Sequence, residues 1–212
     1  AKHGEEILRH MNSREETVQT YEKMTGEIQD TFEQEAFDPQ QDGIRYSSDI
    51  RSMTGFYKQL GLMKSLAREE NYEIPIEIDG SLTAINLKVI HNEQEEGRVA
   101  ITFTSEPFGK TAAEFRLTEQ GLSGYCTCEK EAGKALLEEH KAEWQEQLVK
   151  EGIQPGAVYF TNTNSLNLKD FNKNQTKEQK SGSKADSVQL YRAAKAFIAF
   201  VRQTGDTERK SI

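Results

Sequence analysis

The sequence is short of cysteine, of long apolar runs and of positive charge, and each shortage excludes a class of protein. Cys126 and Cys128 are the only cysteines among 212 residues, too few for a disulfide framework, so we expect synthesis in a reducing compartment. No stretch approaches the ~18 consecutive apolar residues of a membrane span. The 27 basic residues against 35 acidic ones give a formal charge of −8, which argues against nucleic-acid binding.

The start of the sequence lacks the basic, then apolar, then small-residue order of a secretory signal peptide. It begins with Ala1 rather than Met, so we expect a fragment of something longer. Apolar residues make up 35% and charged residues 29%, which is polar for a globular protein but not polar enough for full disorder. One or two small domains with polar extensions fit this composition best.

Residues 1–48 are predicted to be an acidic extension. Residues 1–50 contain twelve acidic and five basic side chains, so nearly all of the net charge lies here. Apolar residues recur at rough helical spacing, which favours one or two helices, with partial disorder as the open alternative. Asp38-Pro39 and Asp42-Gly43 are turn signals that end the segment.

Residues 49–161 are predicted to form an α+β core domain. An amphipathic helix over 49–70 comes first. Apolar and polar residues then alternate with a period of two, which predicts five strands over 73–78, 84–89, 98–103, 112–117 and 122–128. Pro75 lacks a backbone donor and marks an edge strand, and Asp79-Gly80 predicts a hairpin. The short connections favour an antiparallel meander with one apolar face.

One long helix over 130–151 is predicted to cover that apolar face, and Gly152 is its stop signal. Residues 157–161 can return as a strand. Residues 162–186 read as a polar flexible linker because their composition buries little apolar surface. Residues 187–203 are predicted to be an apolar helix containing Phe197 and Phe200, followed by a tail over 204–212. This helix folds back onto the main domain or docks on a partner.

No motif in the sequence gives an enzymatic site. Gly109-Lys110-Thr111 lacks the earlier glycine of a phosphate-binding loop, because Thr104 stands at that position. Cys126 and Cys128 share one face of a strand, which favours two small core side chains, with a regulatory thiol as the remaining reading. We therefore expect no catalytic residue, no metal, no cofactor and no small-molecule substrate.

Residues 107–128, followed by the helix over 130–151, resemble the carboxy-terminal domain of flagellar hook-length control proteins. That domain also has a Pro and a Gly leading a strand, a tight hairpin, a second strand, a helix, and a glycine before a short strand. The matching positions are Pro107, Gly109, Leu136, Leu137, Leu148, Gly152, Ile153 and Gly156. The resemblance covers about residues 107–161, and a Gln/Asn/Ser-rich tail after the domain is also similar.

The sequence departs from the family pattern on the strand after Gly109. The family usually has acidic residues and a Leu between the Pro and the Gly, where Phe108 stands alone. It also has β-branched residues where Thr111 and Ala113 stand, and residues 95–99 offer an alternative register. If these side chains form the partner surface, Phe108, Thr111 and Ala113 are candidate contacts. Phe197 and Phe200 of the final helix are the other two.

The resemblance implies a non-enzymatic protein-interaction domain of the flagellar type III export system. Family members gauge hook length, touch the cytoplasmic domain of the export-gate switch protein, and are themselves exported from the bacterial cytoplasm. The first hypothesis is therefore an export substrate-specificity switch. The second is a binding or scaffold domain unrelated to flagella, and an enzyme whose site is invisible in a single sequence is the third.

Overall fold

The computed structural model describes residues 2–36, 46–91, 97–176 and 187–209, which form seven helices and a six-stranded sheet. The helices are α1 (Lys2–Arg9), α2 (Arg14–Ala36), α3 (Tyr46–Arg68), α4 (Glu131–Glu139), α5 (Lys141–Lys150), α6 (Leu168–Thr176) and α7 (Ser187–Arg209). The strands are β1 (Asn71–Ile78), β2 (Ser81–Ile90), β3 (Arg98–Ser105), β4 (Gly109–Thr118), β5 (Gly121–Cys128) and β6 (Pro155–Asn162).

The six strands lie side by side in chain order, β1-β2-β3-β4-β5-β6. The first five are antiparallel neighbours, so the α+β class and the antiparallel meander are confirmed, while the sheet has six strands rather than about five. The sixth strand runs parallel to β5, because the chain crosses back over α4 and α5 before it re-enters the sheet. The return strand expected at 157–161 is therefore the second edge of the same sheet.

The hairpin between β1 and β2 forms where the sequence predicts it. Asp79 and Gly80 both have positive φ, 51° and 72°, as a two-residue hairpin turn of the primed kind requires. Strand β1, which contains Pro75, is an edge strand, and this prediction is confirmed as well.

One face of the sheet carries the apolar core. Alternate residues of every strand point to this face, where they meet α1, α4, α5 and α7. Its centre is aromatic: Trp144 of α5 stacks on Phe200 of α7 with ring centroids 5.6 Å apart, and Phe197 contacts Phe115 at 4.8 Å. Helix α7 thus folds back onto the main domain, the first of the two alternatives left open for it.

The single helix expected over 130–151 is two helices that meet at His140. This residue ends α4 and precedes α5, with φ −96° and ψ 9° outside the helical region. A backbone in this bridge conformation interrupts the helical ladder. Its imidazole Nδ1 lies 2.9 Å from Oε1 of Glu143, one turn into α5. The face that carries Leu137 and Trp144 remains buried on both sides of the break.

The segment expected to be a flexible linker contains α6. Asn167 caps this helix, because its Oδ1 accepts hydrogen bonds from the backbone N–H groups of Lys169 at 3.1 Å and Asp170 at 3.3 Å. The linker prediction is thus wrong for 168–176, and residues 177–186 lie outside the described residues. Helix α6 packs on the face of the sheet opposite the core, above β3 and β4.

The acidic extension is helical and packed, which settles the alternatives for residues 2–36. Ile7 and Met11 are fully buried, and Gly4 lies so close to β1 that a Cβ there would overlap the carbonyl oxygen of Pro75. Lys195 of α7 donates to Asn12 at 3.0 Å. Among the described helices, none combines the length and the apolar composition needed to cross a bilayer.

Candidate binding site

The five residues expected to contact a partner lie in the core. Phe108, Thr111, Ala113, Phe197 and Phe200 are all at most 1% exposed. Thr111 and Ala113 point to the apolar face because of the alternation of β4. Helix α4 covers Phe108, and the docking of α7 buries Phe197 and Phe200. In this fold they stabilise the domain and are unavailable to a partner.

Helix α4 shows how completely this strand is covered. A Cβ on Gly133 would lie 2.7 Å from Cα of Phe108, so α4 and the turn before β4 are in backbone contact. The ring of Phe108 meets that of Phe103 edge-on, with centroids 6.2 Å apart. A partner surface therefore has to be sought on the other side of the sheet.

That other side, here called the open face, is where α6 packs across β3 and β4. Helix α6 sits over small side chains of the central strands, Ala100, Thr102 and Ala112, all of them buried. Most of the rest of the open face is polar, as the period-two pattern of the strands predicts, and the exposed side chains of Leu82, Tyr125 and Tyr159 are the exceptions. Because α6 is narrow and the sheet is wide, a concave surface forms beside the helix.

This concavity, here called the lysine groove, has a volume of about 420 Å³. Strands β1, β2 and β3 form its floor and α6 forms one wall. Three lysines and three asparagines line it together with two apolar residues. The lining residues are Asn71, Asn86, Leu87, Lys88, Ala100, Lys169, Asn172 and Lys173.

Strand register and helix spacing bring these residues together. Lys88 of β2 pairs with Asn71 of β1 on one side and with Ala100 of β3 on the other. On α6, Lys169 and Lys173 are four residues apart, so both project from the same side of the helix. The small side chain of Ala100 leaves the centre of the groove hollow.

Lys88 is the most unusual of the three lysines. It is half-buried, and burial lowers the pKa of its ammonium group, with a smaller lowering from Arg98 and an opposing effect of Glu69. The groove therefore presents partly desolvated positive charge on a chain with a net charge of −8.

A polar network holds the wall of the groove in place. Gln175 of α6 accepts a hydrogen bond from Nε of Arg98 at 2.9 Å and donates to Glu114 at 3.0 Å. Asn172 donates to the hydroxyl of Thr102 at 3.5 Å. Arg98 and Gln175 are almost fully buried, so these bonds form in a low-dielectric setting where they position α6 firmly.

A second cluster of ionisable groups lies at the turn between α3 and β1. Oε1 of Glu70 accepts a hydrogen bond from the hydroxyl of Tyr191 at 2.9 Å, and Oε2 lies 2.8 Å from Nε2 of His91. The hydroxyl of Tyr72 lies 2.7 Å from that of Tyr191, and Arg14 approaches Glu70 at 3.7 Å. Since Tyr191 donates to Glu70, Tyr72 donates to Tyr191.

The environment of this cluster perturbs its protonation. Burial raises the pKa values of Tyr72 and Tyr191 far above the ordinary tyrosine range. The hydrogen bond to Glu70 raises the pKa of His91, and partial burial opposes that rise. Glu70 also has φ +59°, a left-handed backbone that non-glycine residues rarely adopt. The cluster joins α2, β1, β2 and α7 around the carboxylate of Glu70, so we interpret its role as holding these elements together.

The remaining motifs have structural roles. Cys126 and Cys128 are buried side by side, and the hydrogen bond between the thiols together with burial raises the pKa of Cys126. Gly109, with φ +68°, begins β4 at a tight turn, where the backbone N–H of Lys110 donates to a carboxylate oxygen of Glu129 at 3.1 Å. Searching the described residues finds no cluster of His, Cys, Asp and Glu that could hold a metal.

Only the residues that the strands contribute to the lysine groove could be predicted from the sequence. The period-two pattern puts Asn86 and Lys88 on the polar side of β2. The sequence did not predict that Lys169, Asn172 and Lys173 lie beside them, because residues 162–186 read as a linker.

Comparison of the chain with protein-family models, with curated proteins and with solved structures finds no match.

Proposed function

We propose that this chain is a non-enzymatic protein-interaction domain, whose partner places an acidic segment in the lysine groove. The observation that carries the proposal is the convergence of Lys88, Lys169 and Lys173 with three asparagines in one concave site. Ammonium and amide groups donate hydrogen bonds and positive charge, which is the chemistry that recognises carboxylates.

The groove favours carboxylates for two physical reasons. Lys88 has already lost part of its hydration, so a carboxylate that approaches it gains more than it would from a fully solvated ammonium group. The side-chain amides of Asn71 and Asn86 can donate to the remaining carboxylate lone pairs. Because the chain is otherwise acidic, the attraction is local, and we expect affinity to fall as added salt screens it.

A peptide titration tests the proposal. The full chain is titrated with a short glutamate-rich peptide, and a version with glutamine in place of glutamate serves as the ligand control. Exposed ion pairs contribute about 0.2–1 kcal/mol each, so the triple variant K88Q/K169Q/K173Q should bind roughly tenfold more weakly. Lys150→Gln, on the helical side of the domain, is the matched control and should bind as the wild type does.

Two results would contradict the proposal. One is a wild-type chain that binds neither peptide or binds both equally. The other is a Lys150→Gln chain weakened as much as the groove variant, since this would make the interaction one of general charge. Circular dichroism on each variant checks that the fold is intact.

A narrower candidate names the partner as the cytoplasmic domain of the export-gate switch protein. The element order over 107–162 favours it: a Pro and a Gly lead β4, a tight hairpin leads to β5, a helical stretch follows, and Gly152 precedes β6. This is the order that the resemblance to hook-length control proteins implies. In this role the chain acts in the bacterial cytoplasm and leaves through the type III apparatus.

A pull-down of the full chain with that domain from the same organism tests the narrower candidate. Binding that the triple groove variant loses supports both proposals. Binding that the variant keeps supports the export role and moves the site away from the groove. No binding rejects the export role, and the peptide titration then decides the general proposal alone.

A further inference from the structure

The floor of the lysine groove places one amine beside open space. Lys88 of β2 is half-buried and lines the groove together with Ala100, its partner on β3. Because the side chain of Ala100 is a single methyl group, the space next to Lys88 stays open and belongs to the cavity of about 420 Å³. Cavities of this volume are in the range that small molecules fill.

The surroundings of Lys88 favour the neutral amine, which is the nucleophilic form of a lysine. Burial removes water from its ammonium group, and the guanidinium of Arg98 adds a positive charge nearby, while Glu69 opposes both effects. Arg98 is fixed in its position by the hydrogen bond of its Nε to Gln175 at 2.9 Å. Lysines act as nucleophiles where they are desolvated or lie beside another cation, and both conditions hold here.

The wall of the same groove offers a place for an anion. Lys169 and Lys173 lie one turn apart on α6 and both line the cavity. Ammonium groups bind phosphate as point charges, and the side-chain amides of Asn71 and Asn86 can donate further hydrogen bonds. A nucleophilic amine and a site for a small phosphate group therefore share one cavity.

We propose that Lys88 is a modification site that takes an acyl group directly from an acyl phosphate. The amine nitrogen attacks the carbonyl carbon and forms an N–C bond, and the bond from that carbon to the phosphate oxygen breaks. Phosphate leaves with the bonding electron pair and takes up the proton that the amine loses. The products are an amide on Lys88 and inorganic phosphate, so the step needs no further reactant.

The charge of the groove selects this class of acyl donor. Lys169 and Lys173 attract the negative phosphate and hold its acyl group in the cavity that Lys88 lines, which raises the effective concentration of the reacting groups. A neutral acyl donor gains no such attraction. The two lysines of α6 are therefore positioning residues, and Lys88 is the group that reacts.

Acylation would regulate the binding of an acidic segment. An amide on Lys88 carries no charge, so the segment would lose one of the three lysines that attract it. This consequence rests on the proposed function, whereas the reactivity of Lys88 does not.

Site-resolved mass spectrometry tests the reactivity. The full chain is incubated with acetyl phosphate, and the acetylated fraction of each lysine is followed with time. Lys88 should react several times faster than Lys150, which is exposed at the end of α5 and serves as the control amine. In K169Q/K173Q the rate at Lys88 should fall several-fold, while the rate at Lys150 stays the same. A Lys88 no faster than Lys150, or equally fast in K169Q/K173Q, would overturn the proposal.

Acetic anhydride separates the binding of the phosphate from the nucleophilicity of the amine. This reagent is neutral, so the rate at Lys88 should change far less between the wild type and K169Q/K173Q than it does with acetyl phosphate. An equal loss of rate with both reagents would overturn the role assigned to the two lysines of α6.

The glutamate-rich peptide tests the regulation. The chain acetylated on Lys88 should bind it several times more weakly than the untreated chain. K88R keeps the charge but offers no amine, so treatment with acetyl phosphate should leave its affinity for the peptide unchanged. An acetylated chain that binds as tightly as the untreated one would overturn the regulatory role. An untreated chain that does not bind the peptide rejects the proposed function, and the rates of acetylation then decide the modification site alone.

Discussion

Glu70 shows how much one residue can hold together. Its backbone carbonyl accepts from the N–H of Val89 at 3.0 Å, and its carboxylate meets Tyr191 and His91. The residue also tolerates a left-handed backbone at φ +59°. Such a conformation costs about 1–3 kcal/mol, so the contacts around it have to exceed that cost for the turn to persist.

Glu70→Gln is expected to destabilise the domain by about 3 kcal/mol, because a charge-assisted network loses its centre while the shape is retained. Urea denaturation measures the change. Glu77→Gln, which removes an exposed carboxylate from β1, is the control. Its free energy of unfolding should stay within about 0.5 kcal/mol of the wild-type value. An E70Q chain as stable as that control would mean that the network contributes little.

His91 should make stability depend on pH. The hydrogen bond to Glu70 raises the pKa of the folded imidazole above its unfolded value of about 6.5. A raised folded pKa gives a stabilisation that is fully present below the unfolded pKa and is lost as pH rises through the folded pKa. The free energy of unfolding should therefore fall from pH 6 toward pH 8 in the wild type.

His91→Gln is the variant that isolates this effect, since glutamine does not titrate. Urea midpoints of both chains measured across that pH range should converge at the alkaline end and separate at the acidic end. Parallel curves would show that another group causes the pH dependence.

At the scale of elements, the strands were predictable and the helical details were not. Period-two alternation located the strands of the meander, because the apolar side chains that face the core recur at every second position. The break at His140 depends on backbone angles that helical spacing does not encode. Helix α6 was missed because its stability comes from the Asn167 cap and from Gln175, which are polar residues that composition assigns to a linker.

The candidate site was less predictable from the sequence than the fold, because the sequence did not reveal α6. Its floor follows from strand alternation, but its wall is α6, and the five residues favoured as a partner surface proved to be core. A resemblance in element order could suggest which strand forms a partner surface. It could not show which side of β4 faces solvent.

The contact between α4 and the turn before β4 gives a prediction at this scale. Gly133→Ala places a methyl group 2.7 Å from Cα of Phe108 and 2.8 Å from the carbonyl oxygen of Pro107, and the backbone cannot move aside easily. We expect a loss of about 1–3 kcal/mol in unfolding free energy. Gly61→Ala in α3 has open space around it and should instead stabilise the chain by up to about 1 kcal/mol. Thermal denaturation compares the two, and a neutral G133A would contradict the close approach.

At the scale of the whole molecule, α7 completes the core. Phe197 contacts the rings of Phe115 on β4 and Trp144 on α5, so it joins the sheet to α5. Phe197→Ala should cost about 3–5 kcal/mol of stability, as expected for the loss of a buried aromatic ring. Val188→Ala, on the exposed side of the same helix, should cost far less. Similar urea midpoints for the two variants would show that α7 does not close the core.

The position of α7 in the chain has a consequence for synthesis. Tyr72 and Tyr191, which share a hydrogen bond in the finished core, are separated by 119 residues. At 5–20 residues per second, a ribosome needs roughly 6 to 24 s to travel between them. Until the end of that interval the apolar side of the nascent sheet lacks α7, and its aromatic centre lacks Phe197 and Phe200. The core of this protein therefore closes only after most of the chain has been made, and folding during synthesis has to wait for its last long helix.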